Sequence, residues 1–228
     1  MSGGVLRRLR FPFMAVRTIP FYSTARIYKF CLSMPLQRFD DKNLMADGVF
    51  KMREWKSYSD GLRDFCSFIK EHSGEKVKSV VEVGCYMGEG TCILRQGFPQ
   101  AVIRCIDPWK TGFDESDPTS FSDMGKVESA FDKAVAPWTH IVKYKGVSSD
   151  FLDYPEFKKV HIAYIDGCHT YEAVKNDLET WLPRTKIAIG GHDFGSGLER
   201  LKGVERAVVE VIGKPDMVFQ DTSWVKLI

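Results

Sequence analysis

Short apolar runs of strand type alternate along this chain with segments whose apolar residues recur at helical spacing. The first helical segment covers residues 55–71, where Leu62, Phe65, Phe68 and Ile69 share a face and Ser73-Gly74 breaks the pattern. Strands are predicted near 79–83, 101–106, 140–144, 160–165 and 186–190, and helices near 90–96, 123–134, 170–181 and 202–212. Alternation of this kind argues for a parallel sheet with helices on both faces. The C-terminus departs from it, because 216–220 and 223–228 read as two strands joined by a short turn. The expected fold is therefore α/β: a doubly wound, mostly parallel sheet with a C-terminal antiparallel hairpin. No internal repeat or linker points to a second catalytic domain.

The run Ser79-Val80-Val81-Glu82-Val83 opens into glycines at 84, 88 and 90, and Thr91-Cys92-Ile93-Leu94 then suggests a helix. A buried strand feeding a glycine turn and a helix N-terminus lets backbone approach a ligand without Cβ interference. In nucleoside-binding folds an acid follows about 20 residues on, at the end of the next strand, to hold a ribose. Asp107 stands there, closing Val102-Ile103-Arg104-Cys105-Ile106. The turn is Gly-x-x-x-Gly-x-Gly and not the dinucleotide Gly-x-Gly-x-x-Gly, and Glu82 precedes it by two positions. An anion there repels a pyrophosphate but suits a ligand with an ammonium group and no phosphate, such as S-adenosylmethionine.

Composition adds little against this picture. Apolar residues at 44% and charged residues at 27% are ordinary for a globular protein, and a net charge of +2 gives no argument for nucleic acid. Six cysteines, at 31, 66, 85, 92, 105 and 168, form no zinc spacing or Cys-x-x-Cys pair, so a reduced, cytoplasmic compartment is expected. The first 40 residues differ. Seven basic residues precede the first acid, Asp40, with aromatic and apolar residues between them. Residues 1–50 are read as a basic N-terminal arm and 51–228 as the catalytic domain. Three roles stand open for the arm: a peripheral contact with a membrane surface, an organellar targeting peptide, or packing on the domain or a second subunit as a homodimer. Pro12 and Pro20 exclude one long regular helix across it.

Open parallel sheets bind ligands beyond the carboxyl ends of their strands. After the fourth predicted strand comes Ile165-Asp166-Gly167-Cys168-His169-Thr170-Tyr171-Glu172, and after the fifth comes Gly190-Gly191-His192-Asp193. Each cluster pairs an Asp with a His, and the two are expected to meet at one edge of the pocket. The polar loop from 108 to 122 is read as either an active-site lid or a solvated excursion. Trp109 within it would wall the ligand or join the core.

Glu82-x-Gly84-x-x-x-Gly88, Asp107, the Asp166–Glu172 segment with Val174-x-x-Asp177-Leu178 and Trp181-Leu182-Pro183, and Gly190-Gly191-His192-Asp193 together resemble class I S-adenosylmethionine-dependent methyltransferases. Within that family they are similar to small sugar and natural-product O-methyltransferases, over residues 79–228. The resemblance implies a Rossmann-like fold, S-adenosylmethionine as methyl donor and a small-molecule or glycan acceptor. It implies Glu82 near the donor's ammonium and Gly84, Tyr86 and Gly88 along its methionine and ribose. Asp107 would hold the ribose hydroxyls, Ser148 or Ser149 the adenine edge, and Asp166 would serve donor and acceptor alike. In several relatives Mg²⁺ is held by acids after these two strands, which here would be Asp166 and Asp193. His192 stands where metal-dependent relatives tend to carry a carboxylate, and imidazole is a poor ligand for Mg²⁺ or a similar hard divalent cation. Without a metal, His192 or His169 becomes the candidate general base beside Asp166.

Two other readings remain at this level. A non-catalytic nucleoside-binding or scaffold protein would keep the fold without the chemistry. An NAD(P)-binding oxidoreductase would need its Tyr-x-x-x-Lys pair, which occurs at Tyr154/Lys158 and Tyr171/Lys175.

Overall fold

The computed structural model describes residues 56–228, so the basic arm predicted over 1–50 lies outside the described residues. Helix α1 (Lys56–His72) precedes β1 (Ser79–Val83), α2 (Glu89–Gly97) and β2 (Val102–Asp107). Then follow α3 (Met124–Val135), β3 (Ile141–Lys145), β4 (Val160–Ile165), α4 (Tyr171–Trp181) and β5 (Thr185–Gly191). Helix α5 (Lys202–Ile212) leads to β6 (Met217–Val218) and β7 (Trp224–Leu227). The predicted elements are all present, with ends displaced by one residue or so. The exception is β6, which is two exposed residues long where five were predicted.

The strands form one seven-stranded sheet in the order β3-β2-β1-β4-β5-β7-β6. The first five are parallel, and β7 runs antiparallel to both β5 and β6. This is the doubly wound, Rossmann-like α/β arrangement expected, with the hairpin's last strand inserted beside β5. From β1 the chain winds outward through β2 to β3, then crosses back to β4 on the other side of β1. The crevice for a ligand therefore opens at the carboxyl ends of β1 and β4.

Alternation along the strands divides the core into two layers. Val80, Ile103, Cys105 and Tyr164 face Leu62, Phe65 and Ile69 of α1, Ile93 and Leu94 of α2, and Val127 and Phe131 of α3. Val81, Val83, Ala163 and Ile165 face Val174, Leu178 and Trp181 of α4 and Val204, Ala207 and Val208 of α5. Gly190 allows α1 to sit close: a Cβ there would lie 2.4 Å from Phe65 Cε2 and 2.5 Å from the Trp224 carbonyl oxygen. Among the described residues no helix is long and apolar enough to cross a membrane.

Candidate active site

A cavity of about 410 Å³ opens at the carboxyl ends of the central strands. Eight carboxyl groups line it, against Lys110, Arg200 and two histidines. On one side lies the glycine turn. Gly84 has φ +83°, and a Cβ there would come within 2.0 Å of the Asp166 carbonyl oxygen, so no other residue fits without moving backbone. Gly88, also left-handed at φ +84°, starts α2 without a side-chain cap. Tyr86 between them has φ +49°, an uncommon conformation for a bulky residue.

Asp107 holds that conformation. Its Oδ2 accepts from the backbone N–H groups of Cys85 and Tyr86, both at 2.9 Å, and its Oδ1 accepts from Trp109 N at 2.7 Å. Burial pushes the carboxyl up from its ordinary value, while these three donors oppose the shift. Trp109 completes the lock by donating its indole N–H to the Tyr86 carbonyl at 2.9 Å. It is buried and packs on Phe131 at 4.9 Å between ring centroids, so of its two open roles the core prevails. Glu82 is 2% exposed, lines the cavity and accepts the Thr91 hydroxyl proton. Ser148 is buried and Ser149 exposed, and both line the cavity from the turn after β3.

The opposite side carries the predicted Asp/His clusters, and they do meet. His192 Nδ1 lies 3.1 Å from Asp193 Oδ1 and 3.8 Å from Asp166 Oδ1, while its Nε2 is fully enclosed. Asp193 has φ +67°, a conformation that Asp tolerates better than most residues. His169 is held differently. Its Nδ1 is 2.8 Å from Asp114 Oδ2 and its Nε2 is 3.0 Å from Asp193 Oδ2. Both ring nitrogens thus face carboxylates and both must carry protons. Burial disfavours that charge, but the bonds to Asp114 and Asp193 outweigh it and hold the imidazolium well above its ordinary range. The same bonds overcome burial at Asp114 and hold its carboxyl below its ordinary range. A ring locked as a cation has no lone pair for a proton, so the geometry corrects the expectation that His169 serves as a general base.

The loop after β2 belongs to this network. Asp114 Oδ2 also accepts the His169 backbone N–H at 2.8 Å, Asp117 Oδ2 lies 3.7 Å from His169 Nδ1, and Arg200 is 4.0 Å from Asp117. Tyr86 Oη and Ser122 Oγ are 3.2 Å apart, which ties the loop to the glycine turn as well. Phe113, 42% exposed, stands at the cavity wall. The loop is latched over the site and is not a solvated excursion.

Asp114, Asp117, Arg200 and Asp177 are cavity residues that sequence reasoning missed. Asp177 did leave a signal, for it stands at an i, i+3 position in the apolar stripe Val174, Leu178, Trp181. The Tyr-x-x-x-Lys pairs have no place in the site. Tyr154 is exposed, and Tyr171 and Lys175 both bond to Glu210 of α5 at 2.6 Å.

Asp166, His169 and Asp193 each bring one donor atom within 4.8 Å of the others. The set does not suit a resident divalent cation as arranged. His169 offers no lone pair, and the two oxygens of Asp193 are each engaged by a histidine ring. A second cluster of Glu82, Cys85 and Cys105 is core, where burial pushes the Cys85 thiol well up and away from the thiolate a metal requires.

The sequence model of a family described as a methyltransferase domain matches residues 81–193. Among curated proteins, no sequence is significantly similar to this chain. Solved structures are similar in fold. Calicheamicin methyltransferase CalS11, described elsewhere as a TDP-rhamnose 3′-O-methyltransferase, aligns with a TM-score of 0.56 at 14% identity, over 90% of this chain and 90% of its own. The O-methyltransferase NovP aligns at 0.54 and 16% identity, over 73% of this chain and 78% of its own. Cofactor-bound Rv0187 from MTB aligns at 0.54 and 15%, over 89% and 95%. The glycine turn, the sheet order and the family match agree: residues 81–193 form a methyltransferase domain, on the fold of the class I S-adenosylmethionine-dependent methyltransferases.

Proposed function

We propose that this methyltransferase acts on a hydroxyl group of a sugar or glycan-like small molecule, and that Asp166, positioned by His192, is its general base. The observation that carries this reading is the pairing of His192 with two carboxylates across one cavity from the glycine turn. Bound S-adenosylmethionine supplies an electrophilic methyl group on a sulfonium. Glu82 faces its ammonium, Gly84, Tyr86 and Gly88 lie along its methionine and ribose, and Asp107 takes the ribose hydroxyls. Asp107 keeps lone pairs for this, because each of its oxygens has capacity beyond the backbone donors it already accepts. Ser148 and Ser149 mark the adenine end.

On the acceptor side Asp166 takes a hydrogen bond from the reacting hydroxyl. As the O–CH₃ bond forms and the S–CH₃ bond breaks, the hydroxyl proton passes to the Asp166 carboxylate, which His192 helps to position. His192 Nδ1 lies 3.1 Å from Asp193 Oδ1 and 3.8 Å from Asp166 Oδ1, so the ring orients both carboxylates. The CalS11 likeness supports a sugar acceptor, as do cavity carboxylates that accept from hydroxyls and the aromatic face of Phe113. The chemistry needs no metal in this arrangement.

The test is calorimetry with S-adenosylhomocysteine followed by turnover on a panel of sugars. Saturable binding by the folded protein is expected, and its absence would sink the reading. His192→Ala should keep that binding while kcat falls about 10²–10⁴-fold. Full turnover by the variant would remove His192 from the proton-accepting site. Activity should survive EDTA, and loss restored by Mg²⁺ would return Asp166 and Asp193 to the role of metal ligands.

A further inference from the structure

A second, much smaller cavity of about 10 Å³ lies behind the Asp/His cluster. Its walls are His192, Trp224, Ile165, Val174 of α4 and Val204 of α5, and the Asp166–His169 turn borders both cavities. Trp224, the first residue of β7, is 1% exposed, and its indole Nε1 is buried with no hydrogen-bond acceptor among the described residues. Gly191 leaves space beside that nitrogen: a Cβ there would lie 3.1 Å from Nε1 and press on the Ile165 carbonyl oxygen. His192 turns its Nδ1 to the carboxylates of the main cavity, so the enclosed Nε2, across the ring, is the nitrogen on this side.

A buried N–H without an acceptor is costly, and indole nitrogens in protein cores ordinarily find one. A cavity of this size holds one water molecule where at least two polar groups reach it. Trp224 and His192 supply two. The Ile165 carbonyl accepts the His192 backbone N–H at 3.2 Å and keeps a second lone pair for a third contact. An indole nitrogen only donates, so the water accepts from Trp224 and keeps its two protons for acceptors. His192 Nδ1 carries a proton of its own, because it stands 3.1 Å from a carboxylate oxygen of Asp193.

We propose that Trp224 is a positioning residue: through one enclosed water, its indole N–H fixes the His192 ring and keeps the ring's proton on Nδ1. Donation runs from Trp224 to the water, from the water to His192 Nε2, and from His192 Nδ1 to Asp193. A ring turned over about its Cβ–Cγ bond would face the carboxylates with carbon and could not orient them. The bearing of this on catalysis rests on the reading of Asp166 as base given above.

The experiment joins a crystal structure of the wild type to nitrogen-15 NMR of its histidine rings. One ordered water within about 3.2 Å of both Trp224 Nε1 and His192 Nε2 is expected, with Nδ1 protonated and Nε2 bare. A dry cavity, or a proton on Nε2, would overturn the inference, and neither result depends on turnover or on a variant that folds. Trp224→Phe keeps an aromatic ring and removes the N–H. It should bind S-adenosylhomocysteine as the wild type does, keep its KM for the acceptor, and lose about tenfold in kcat together with the Nδ1-protonated signature. A folded variant with wild-type kcat or unchanged ring signals would also overturn the inference. Full turnover by Asp166→Asn would instead overturn the base reading, while the water and the ring signals would still decide the role of Trp224.

Discussion

At the scale of single residues, the site is governed by how each titratable group is surrounded. Asp107 and Asp177 are both raised by burial, but Asp107 has three backbone donors and Asp177 one hydroxyl. For Asp177 the consequence is measurable in stability. Its folded value of about 6 exceeds the ordinary 3.8, so the folded state holds the proton more tightly than the unfolded chain. The stability this contributes is full below about pH 4 and is lost as pH rises through about 6, up to about 3 kcal/mol in all. Urea unfolding at pH 4 to 7 should therefore show the wild type losing stability relative to Asp177→Asn across that window. Parallel curves for the two proteins would mean that the carboxyl is not raised.

Residues of the same type were unequally legible in the sequence. Gly84, Gly88 and Asp107 could be placed because turn and acid belong to neighbouring strands, where spacing along the chain maps onto spacing in the fold. Asp166, His192 and Asp193 followed from strand ends. Asp114 could not, because its partner His169 is 55 residues away and nothing local distinguishes it from a solvated loop acid. His169 was misread for the same reason. Its motif marks it as a site residue, but its protonation is decided by carboxylates from two distant segments.

At the scale of elements, the loop between β2 and α3 is held by one charged hub. His169 joins Asp114 of the loop to Asp193 beyond β5, and Arg200 approaches Asp117 from the turn before α5. His169→Gln keeps hydrogen-bonding atoms but removes the charge that both carboxylates face. Removing one partner of a buried pair costs about 3–5 kcal/mol, so the variant should be destabilised by that order and residues 113–120 should exchange amide hydrogens faster. Unaltered protection there would show that the loop is held by something else. Element existence was readable from periodicity throughout, whereas β6 shrank to two residues. Asp216, predicted to open that strand, turns its carboxylate to Lys226 and the Leu227 N–H, and the residues beyond Val218 turn back toward β7.

At the scale of the whole molecule, the crossing from β3 to β4 sets the glycine turn and the Asp/His cluster on facing walls of one cavity. The family match and the fold follow from that topology, whereas the acceptor must be found at the bench. The eight carboxyl groups around the cavity have one further effect, on turnover. They face a donor that arrives with a cationic sulfonium and leaves as a neutral thioether. In the proposed donor placement each transfer removes the charge that these walls attract, so raised salt should weaken binding of S-adenosylmethionine more than that of S-adenosylhomocysteine.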